Sequence, residues 1–121
     1  TSWDSPSLYK DKGQGYADTI ELLLGLSPDL STITGLFVLD QKETPGLGNK
    51  IITDQWRGQF VDAPADGNLV VVKTGKTQPG QIDAVTGATI SSKSVTALVN
   101  AVMALPFVLL THPHLSYIDA V

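Results

Sequence analysis

Hydrophobic and polar residues alternate most regularly between Tyr16 and Leu24, where Ile20, Leu22 and Leu24 interleave with Thr19, Glu21 and Leu23. A period of two places one set of side chains on a single face, so the stretch predicts a strand. Gly25-Leu26-Ser27-Pro28-Asp29 is rich in turn formers and predicts the end of that strand. Thr32 to Leu39, rich in β-branched and apolar residues, predicts a second strand, and the two are expected to pair as an antiparallel hairpin. Ahead of them, Thr1 to Gly15 carries Pro6, Gly13 and Gly15 among polar residues and reads as irregular, an entry strand at best.

The pattern then loosens. Gln41 to Lys50, with Pro45, Gly46 and Gly48, predicts a loop. Thr53 to Phe60 predicts a short helix, with Thr53 or Asp54 as its cap and Trp56 and Phe60 four apart on one face. Asp62 to Asn68 is a turn-rich connection, Leu69 to Lys73 a short strand, and Thr74 to Gly80 a polar loop. The clearest helix runs from Ile90 to Leu105, where Val95, Leu98, Val99 and Val102 recur at helical spacing and Pro106 is expected to end the run. There is no internal repeat and no low-complexity tract. The sum is an α+β domain at 16–105, an antiparallel sheet with packed helices. It stands between an irregular segment at 1–15 and a tail at 106–121.

Composition narrows the function classes. A chain of 121 residues fits a single domain, and 42% hydrophobic with 17% charged residues suits a core rather than a disordered chain. A net charge of -4 argues against nucleic acid, or an anionic membrane face, as the main partner. The absence of cysteine excludes disulfides, iron–sulfur clusters and thiol redox chemistry. The chain begins at Thr1, without methionine, and is expected to be a processed or recombinant fragment. Its longest apolar run, Ala101 to Leu110 broken by Pro106, is about half the ~20 residues a membrane span needs. Any anchor is therefore expected outside it.

Chemistry concentrates in Asp83-Ala84-Val85-Thr86-Gly87-Ala88-Thr89-Ile90-Ser91-Ser92. Gly87 and Ala88 are small enough for a bulky ligand to approach the backbone. Thr89 is placed at the N-cap of the long helix, whose first turn presents unpaired N–H groups and the positive end of the helix dipole. A phosphate is stabilised at such a place, and Ser91, Ser92 and Lys93 add donors and a positive charge. The same residues also make an ordinary capped helix, and physics alone leaves both readings open. Neither a Walker A loop nor a three-glycine dinucleotide fingerprint is present.

The run Asp83 to Thr89 resembles the flavinylation motif of the FMN-binding domain family: Asp, two variable residues, Ser or Thr, Gly, Ala, then Thr or Ser. That family includes the G subunit of the Rnf ion-pumping complex and the C subunit of the sodium-pumping NADH:quinone oxidoreductase. A second stretch, Lys42-Glu43-Thr44-Pro45-Gly46-Leu47-Gly48, resembles the family loop that lies against the flavin ring. The resemblance covers roughly Tyr16 to Ala104. It implies FMN esterified through its phosphate to Thr89 by a flavin transferase that uses FAD. Asp83, Thr86, Gly87, Ala88, Ser91, Ser92 and Lys93 would surround the phosphate, and Glu43, Thr44, Leu47 and Gly48 would meet the ring. It further implies a subunit of a membrane electron-transport complex, on the outer face of a cell membrane.

No His–carboxylate or Ser–His constellation for substrate chemistry is visible, so no catalytic residue is assigned and the domain reads as a carrier within an enzyme complex. Trp56 and Phe60 read as core, and His112-Pro113-His114, with no carboxylate cluster nearby, reads as a solvated tail rather than a metal site. Two rivals remain open: an FMN-binding sensor domain of a membrane regulator, and a binding module without flavin.

Overall fold

The computed structural model describes residues 7–73 and 75–111. Among them, five strands and two α-helices follow in the order β1 (Ser7–Gln14), β2 (Thr19–Leu26), β3 (Ile33–Asp40), α1 (Asp54–Arg57), β4 (Val70–Val72), β5 (Gln81–Asp83) and α2 (Thr89–Thr111). Strands β1, β2 and β3 form an antiparallel sheet with β2 central. The α+β class and the antiparallel hairpin predicted from sequence are both present.

The inward set of β2 is the one its alternation predicts: Ile20, Leu22 and Leu24 are fully buried, and Leu26 continues the row. Strand β3 breaks the rule of two, because its buried residues Ile33 and Leu36 are three apart. An irregularity between Gly25 and Leu26 explains it: Leu26 pairs with Ile33 and Gly25 with Gly35, so Thr34 is the extra residue of a bulge.

Against this sheet packs α2. Its buried residues are Ser91, at the groove, and a stripe of Ser92, Val95, Thr96, Val99 and Met103. Of the predicted stripe, Val95 and Val99 are buried, whereas Leu98 and Val102 are only partly so, at the border of the core. The helix therefore faces the sheet about one residue round from the expected stripe, and two small polar residues complete the inner face. Leu98 instead lies on β1, in space that the missing Cβ of Gly13 leaves open. Phe60, Trp56, Ile51 and Ile82 close the core from the remaining side. Trp56 and Phe60 meet edge-to-face, with ring centroids 5.2 Å apart, as their spacing of four predicts.

Several boundaries differ from expectation. Ser7–Gln14 is a strand rather than irregular: it is amphipathic only weakly, and its order comes from pairing with β2 along its whole length. Gly25 and Leu26 belong to β2, and the turn is Ser27 to Thr32, closed by Ser27 N–H donating to the Thr32 carbonyl at 2.9 Å. Thr53 is the cap of α1, accepting from Trp56 N–H at 3.3 Å, but the helix lasts only to Arg57 before a 3-10 turn at Gly58–Phe60. Gln81–Asp83, not foreseen, pairs with β4 in a separate parallel ladder. Helix α2 continues past Pro106 to Thr111, since a proline removes one helical hydrogen bond and kinks a helix without always ending it. His112 and His114 lie outside the described residues. Among the described residues no helix is long and apolar enough to cross a membrane.

Candidate flavin site

The start of α2 sets the geometry. The Ala88 carbonyl accepts the first helical bond, from Ser92 N–H at 3.1 Å, and the helix begins at Thr89. Ala88 thus occupies the cap position and Thr89 the first helical position, one residue beyond the expected cap. The correction matters chemically, because a first-turn side chain is not committed to capping the backbone. No acidic residue of α2 itself stands in its first turn, so no side chain of the helix competes with an anion for its N–H groups. Gly87 precedes the turn at φ 78°, in the left-handed region that glycine adopts without strain.

A groove of about 510 Å³ opens beside this helix start, lined by Tyr16, Thr44, Leu47, Gly48, Gly87, Ala88, Thr89, Ile90 and Ser91. Its size falls within the ~300–1,000 Å³ usual for cofactor and ligand sites. The loop 44–49 forms the facing wall. The Thr44 carbonyl accepts from Leu47 N–H at 3.1 Å and Asn49 N–H at 3.2 Å, and Asn49 Oδ1 accepts from Gly46 N–H at 2.9 Å. The loop is therefore a closed turn presenting Leu47, 43% exposed, to the groove. A Cβ on Gly87 would lie 3.2 Å from Leu47 Cδ2, so the two walls stand as close as a glycine permits.

Behind the groove sits Glu43, only 4% exposed. Its Oε1 accepts from Tyr16 N–H and from Ser91 Oγ, both at 2.7 Å, and its Oε2 accepts from Ala17 N–H at 2.9 Å. Burial alone would raise its pKa. The donors from Ala17, Ser91, Tyr16 and Asp18 outweigh that, and the carboxyl lies below its ordinary 4.5. Glycines make room for it: a Cβ on Gly15 would come 2.8 Å from Glu43 Oε1, and one on Gly48 would come 2.9 Å from Glu43 Cβ and 2.6 Å from Ser91 Oγ.

The residues singled out in the sequence thus separate into groups. Thr44, Leu47, Gly48, Gly87, Ala88, Thr89 and Ser91 share the groove. Glu43 ties its walls together from within. Ser92 is fully buried, with its hydroxyl donating to the Ala88 carbonyl and accepting from Val85 N–H, both at 2.9 Å, which commits the one donor it could offer a phosphate. Asp83 and Thr86 line a different cavity, of about 450 Å³, beside Trp56. There Asp83 Oδ1 accepts from Lys76 N–H at 2.9 Å, and the Asp83 carbonyl accepts from Trp56 Nε1 at 2.8 Å. Lys93 is exposed and lines two outer clefts rather than the groove. Two groove residues carry no signal in the sequence: Tyr16, which reads there as the start of a strand, and Ile90, which reads as an ordinary helix residue.

A model of the FMN-binding domain matches residues 15–104. The chain belongs to the FMN-binding domain family. Over 82 residues it is 52% identical to the G subunit of the ion-translocating oxidoreductase complex of Methanosarcina acetivorans, covering 67% of this chain and 40% of that one. Over 87 residues it is 46% identical to the G subunit of the Na(+)-translocating ferredoxin:NAD(+) oxidoreductase complex of Acetobacterium woodii, covering 71% and 41%. The chain therefore spans about two-fifths of the length of these relatives. Its fold is that of Shewanella oneidensis NqrC, with a TM-score of 0.74 at 22% identity over 91% of this chain and 55% of that one. The C subunit of the Na(+)-translocating NADH-quinone reductase of Parabacteroides distasonis superposes at 0.71, with 27% identity over 80% and 52%.

The groove has a lining that would suit FMN: the helix start could take the phosphate, Gly87 keeps the wall beside it free of a side chain, and the exposed Leu47, Ile90 and Tyr16 would offer apolar surface to a flat ring system.

Proposed function

We propose that this is a flavin-carrying electron-transfer domain of an ion-translocating oxidoreductase complex, with FMN joined through its phosphate to Thr89. The observation that carries the reading is the position of Thr89: it is the first residue of α2, it lines the groove, and it lies within the matched family segment. In the attachment Thr89 gives up its hydroxyl proton and its oxygen takes the phosphoryl end of FMN. With FAD as donor, AMP leaves, and a flavin transferase catalyses the exchange. The first-turn N–H groups hold the phosphate by charge and direction. Bound FMN supplies the one- and two-electron chemistry; the protein binds it, orients it and limits its access to water.

Covalent attachment removes loss of the cofactor by dissociation, which suits a domain on the outer face of a membrane, where free FMN is scarce. The relatives' names describe subunits of ion-translocating oxidoreductase complexes, and partner subunits and an anchor outside this segment are part of the same proposal. The test is intact mass beside an absorption spectrum after co-expression with a flavin transferase. The expected result is the mass of one FMN less water, with flavin absorbance. An unmodified mass in the presence of active transferase refutes the attachment. A neighbouring signalling domain in the full chain, in place of an anchor and complex partners, would favour the sensor reading.

A further inference from the structure

We infer that Tyr16 is a flavin-contacting wall of the groove, and that Glu43 is the positioning residue that holds it there. The inference rests on the attachment at Thr89 and extends it to the ring end of the cofactor.

Tyr16 lies in the turn between β1 and β2, closed by Gly15 N–H donating to the Asp18 carbonyl at 2.8 Å. It is 63% exposed, yet it lines the same groove as Thr89, Leu47 and Ile90. A large aromatic on a hairpin turn ordinarily gains little from folding. Here the turn is anchored far more firmly than its own geometry requires, because the backbone N–H groups of Tyr16 and Ala17 both donate to the buried Glu43 carboxylate. Charge-assisted bonds of this kind are roughly twice as strong as neutral ones. The same carboxylate accepts from Ser91, two residues after Thr89. It also belongs to the segment that presents Thr44, Leu47 and Gly48 to the groove. One side chain therefore fixes the hairpin turn, the facing loop and the helix start relative to one another. Gly15 and Gly48 leave the space it needs.

This gives Glu43 a role different from that of a charge beside the ring. Both its oxygens are engaged by protein donors, so it acts on the flavin through Tyr16 and Ser91. Tyr16 supplies an aromatic face, and Leu47 and Ile90 the apolar surfaces around it. A flat, amphipathic ring stacks favourably in such a place.

An electron-rich phenol in contact with a flavin quenches its fluorescence by photoinduced electron transfer, which makes the contact measurable without turnover. The domain is co-expressed with a flavin transferase as wild type, Tyr16→Leu, Glu43→Gln and the double variant. Intact mass reports attachment, and flavin fluorescence and visible circular dichroism report ring environment. With FMN mass present throughout, Tyr16→Leu should raise the fluorescence severalfold and weaken the circular dichroism. Glu43→Gln should move both readouts in the same direction, and adding it to Tyr16→Leu should change them little further, since the two act through one contact. FMN mass with unchanged fluorescence in Tyr16→Leu overturns the contact. Full additivity in the double variant overturns the positioning role of Glu43. Missing FMN mass in the wild type overturns the attachment, and this inference with it.

Discussion

The firmest test of how the site is held is Glu43→Gln in the domain without flavin. The carboxylate accepts three bonds, from Tyr16 N–H and Ser91 Oγ at 2.7 Å and from Ala17 N–H at 2.9 Å. An amide has one acceptor oxygen. Placed at Oε1 it keeps two of the bonds without their charge, and its NH2 then faces the Ala17 N–H and leaves that donor unpaired. A bond to a charged group contributes about 1.5–3 kcal/mol and a neutral one about 0.5–1.5 kcal/mol, and the freed N–H of the exposed Ala17 can turn to water, so a net loss of about 1–3 kcal/mol is expected. Each kcal/mol lowers Tm by about 4–8 °C in a smaller domain and about 2–4 °C in a larger one, so the expected drop at neutral pH is on the order of 10 °C. The loss should also depend on pH. The folded pKa of Glu43 is below its ordinary 4.5, so its ionised form is favoured by folding. That stabilisation is complete above the unfolded pKa and is lost as pH falls through the folded value. The gap between wild type and variant should stay constant down to about the unfolded pKa and close below it. Asp29, held down to about 2 by the Ser27 and Ser31 hydroxyls, is common to both proteins and cancels. Thermal melts by circular dichroism across pH would show this. Equal Tm values at neutral pH, or a gap that stays constant through the acid range, would refute the account of Glu43.

Other expectations follow from the same geometry. Thr89→Ala should abolish the added FMN mass, whereas Thr86→Val, in the cavity beside Trp56, should leave the attachment residue intact and the mass present. Gly87→Ala forces a Cβ into the left-handed region at φ 78° and to 3.2 Å from Leu47 Cδ2. It should cost about 1–2 kcal/mol in denaturant unfolding and reduce flavin attachment by shifting the wall. Ser92→Ala strips Val85 N–H of its buried partner and should cost about 1–3 kcal/mol while mass spectrometry still finds FMN, since the Ser92 donor is committed to the Ala88 carbonyl. Leu47→Ala should keep the attachment and shift the flavin absorption spectrum.

What was legible in the sequence was local. Alternation marked the inner face of β2, because a strand half-buried on a core must show it. The spacing of Val95 and Val99 marked α2, and small residues before a hydroxyl-rich helix start marked the beginning of that helix, which lines the groove. The bulge at Thr34, which shifts the inward set of β3, leaves no mark in a period of two. Strand β5 is only Gln81–Asp83, with a single fully buried residue, Ile82. Three residues carry no periodicity, and the strand exists because β4 pairs with it. Ser92 and Lys93 look like ligands in the sequence for the same reason in reverse: helical position alone does not say which side a residue turns to the core, and here Ser92 turns inward and Lys93 outward.

Glu43 shows the limit most clearly. Its partners Ala17, Tyr16 and Ser91 are 26, 27 and 48 residues away along the chain. Nothing within a window of a dozen residues relates them. In the loop that resembles the flavin loop, Glu43 leaves two readings open: a charge facing the ring, or a carboxylate that holds the loop through backbone N–H groups. The structure shows it accepting backbone N–H groups, but from the distant hairpin turn and not from its own loop. A carboxylate this deeply buried needs donors on both oxygens, and those donors lie on the two other segments that wall the groove. The glycines at 15 and 48, which read as turn residues, are needed because no other side chain leaves the carboxylate its approach. A groove assembled from three distant segments must be held by something that touches all three, and in this domain the buried carboxylate of Glu43 does so. Under the proposed attachment the Thr89 hydroxyl would fix a single point of the cofactor, and the orientation of everything beyond that point would depend on how well Glu43 keeps the walls in register.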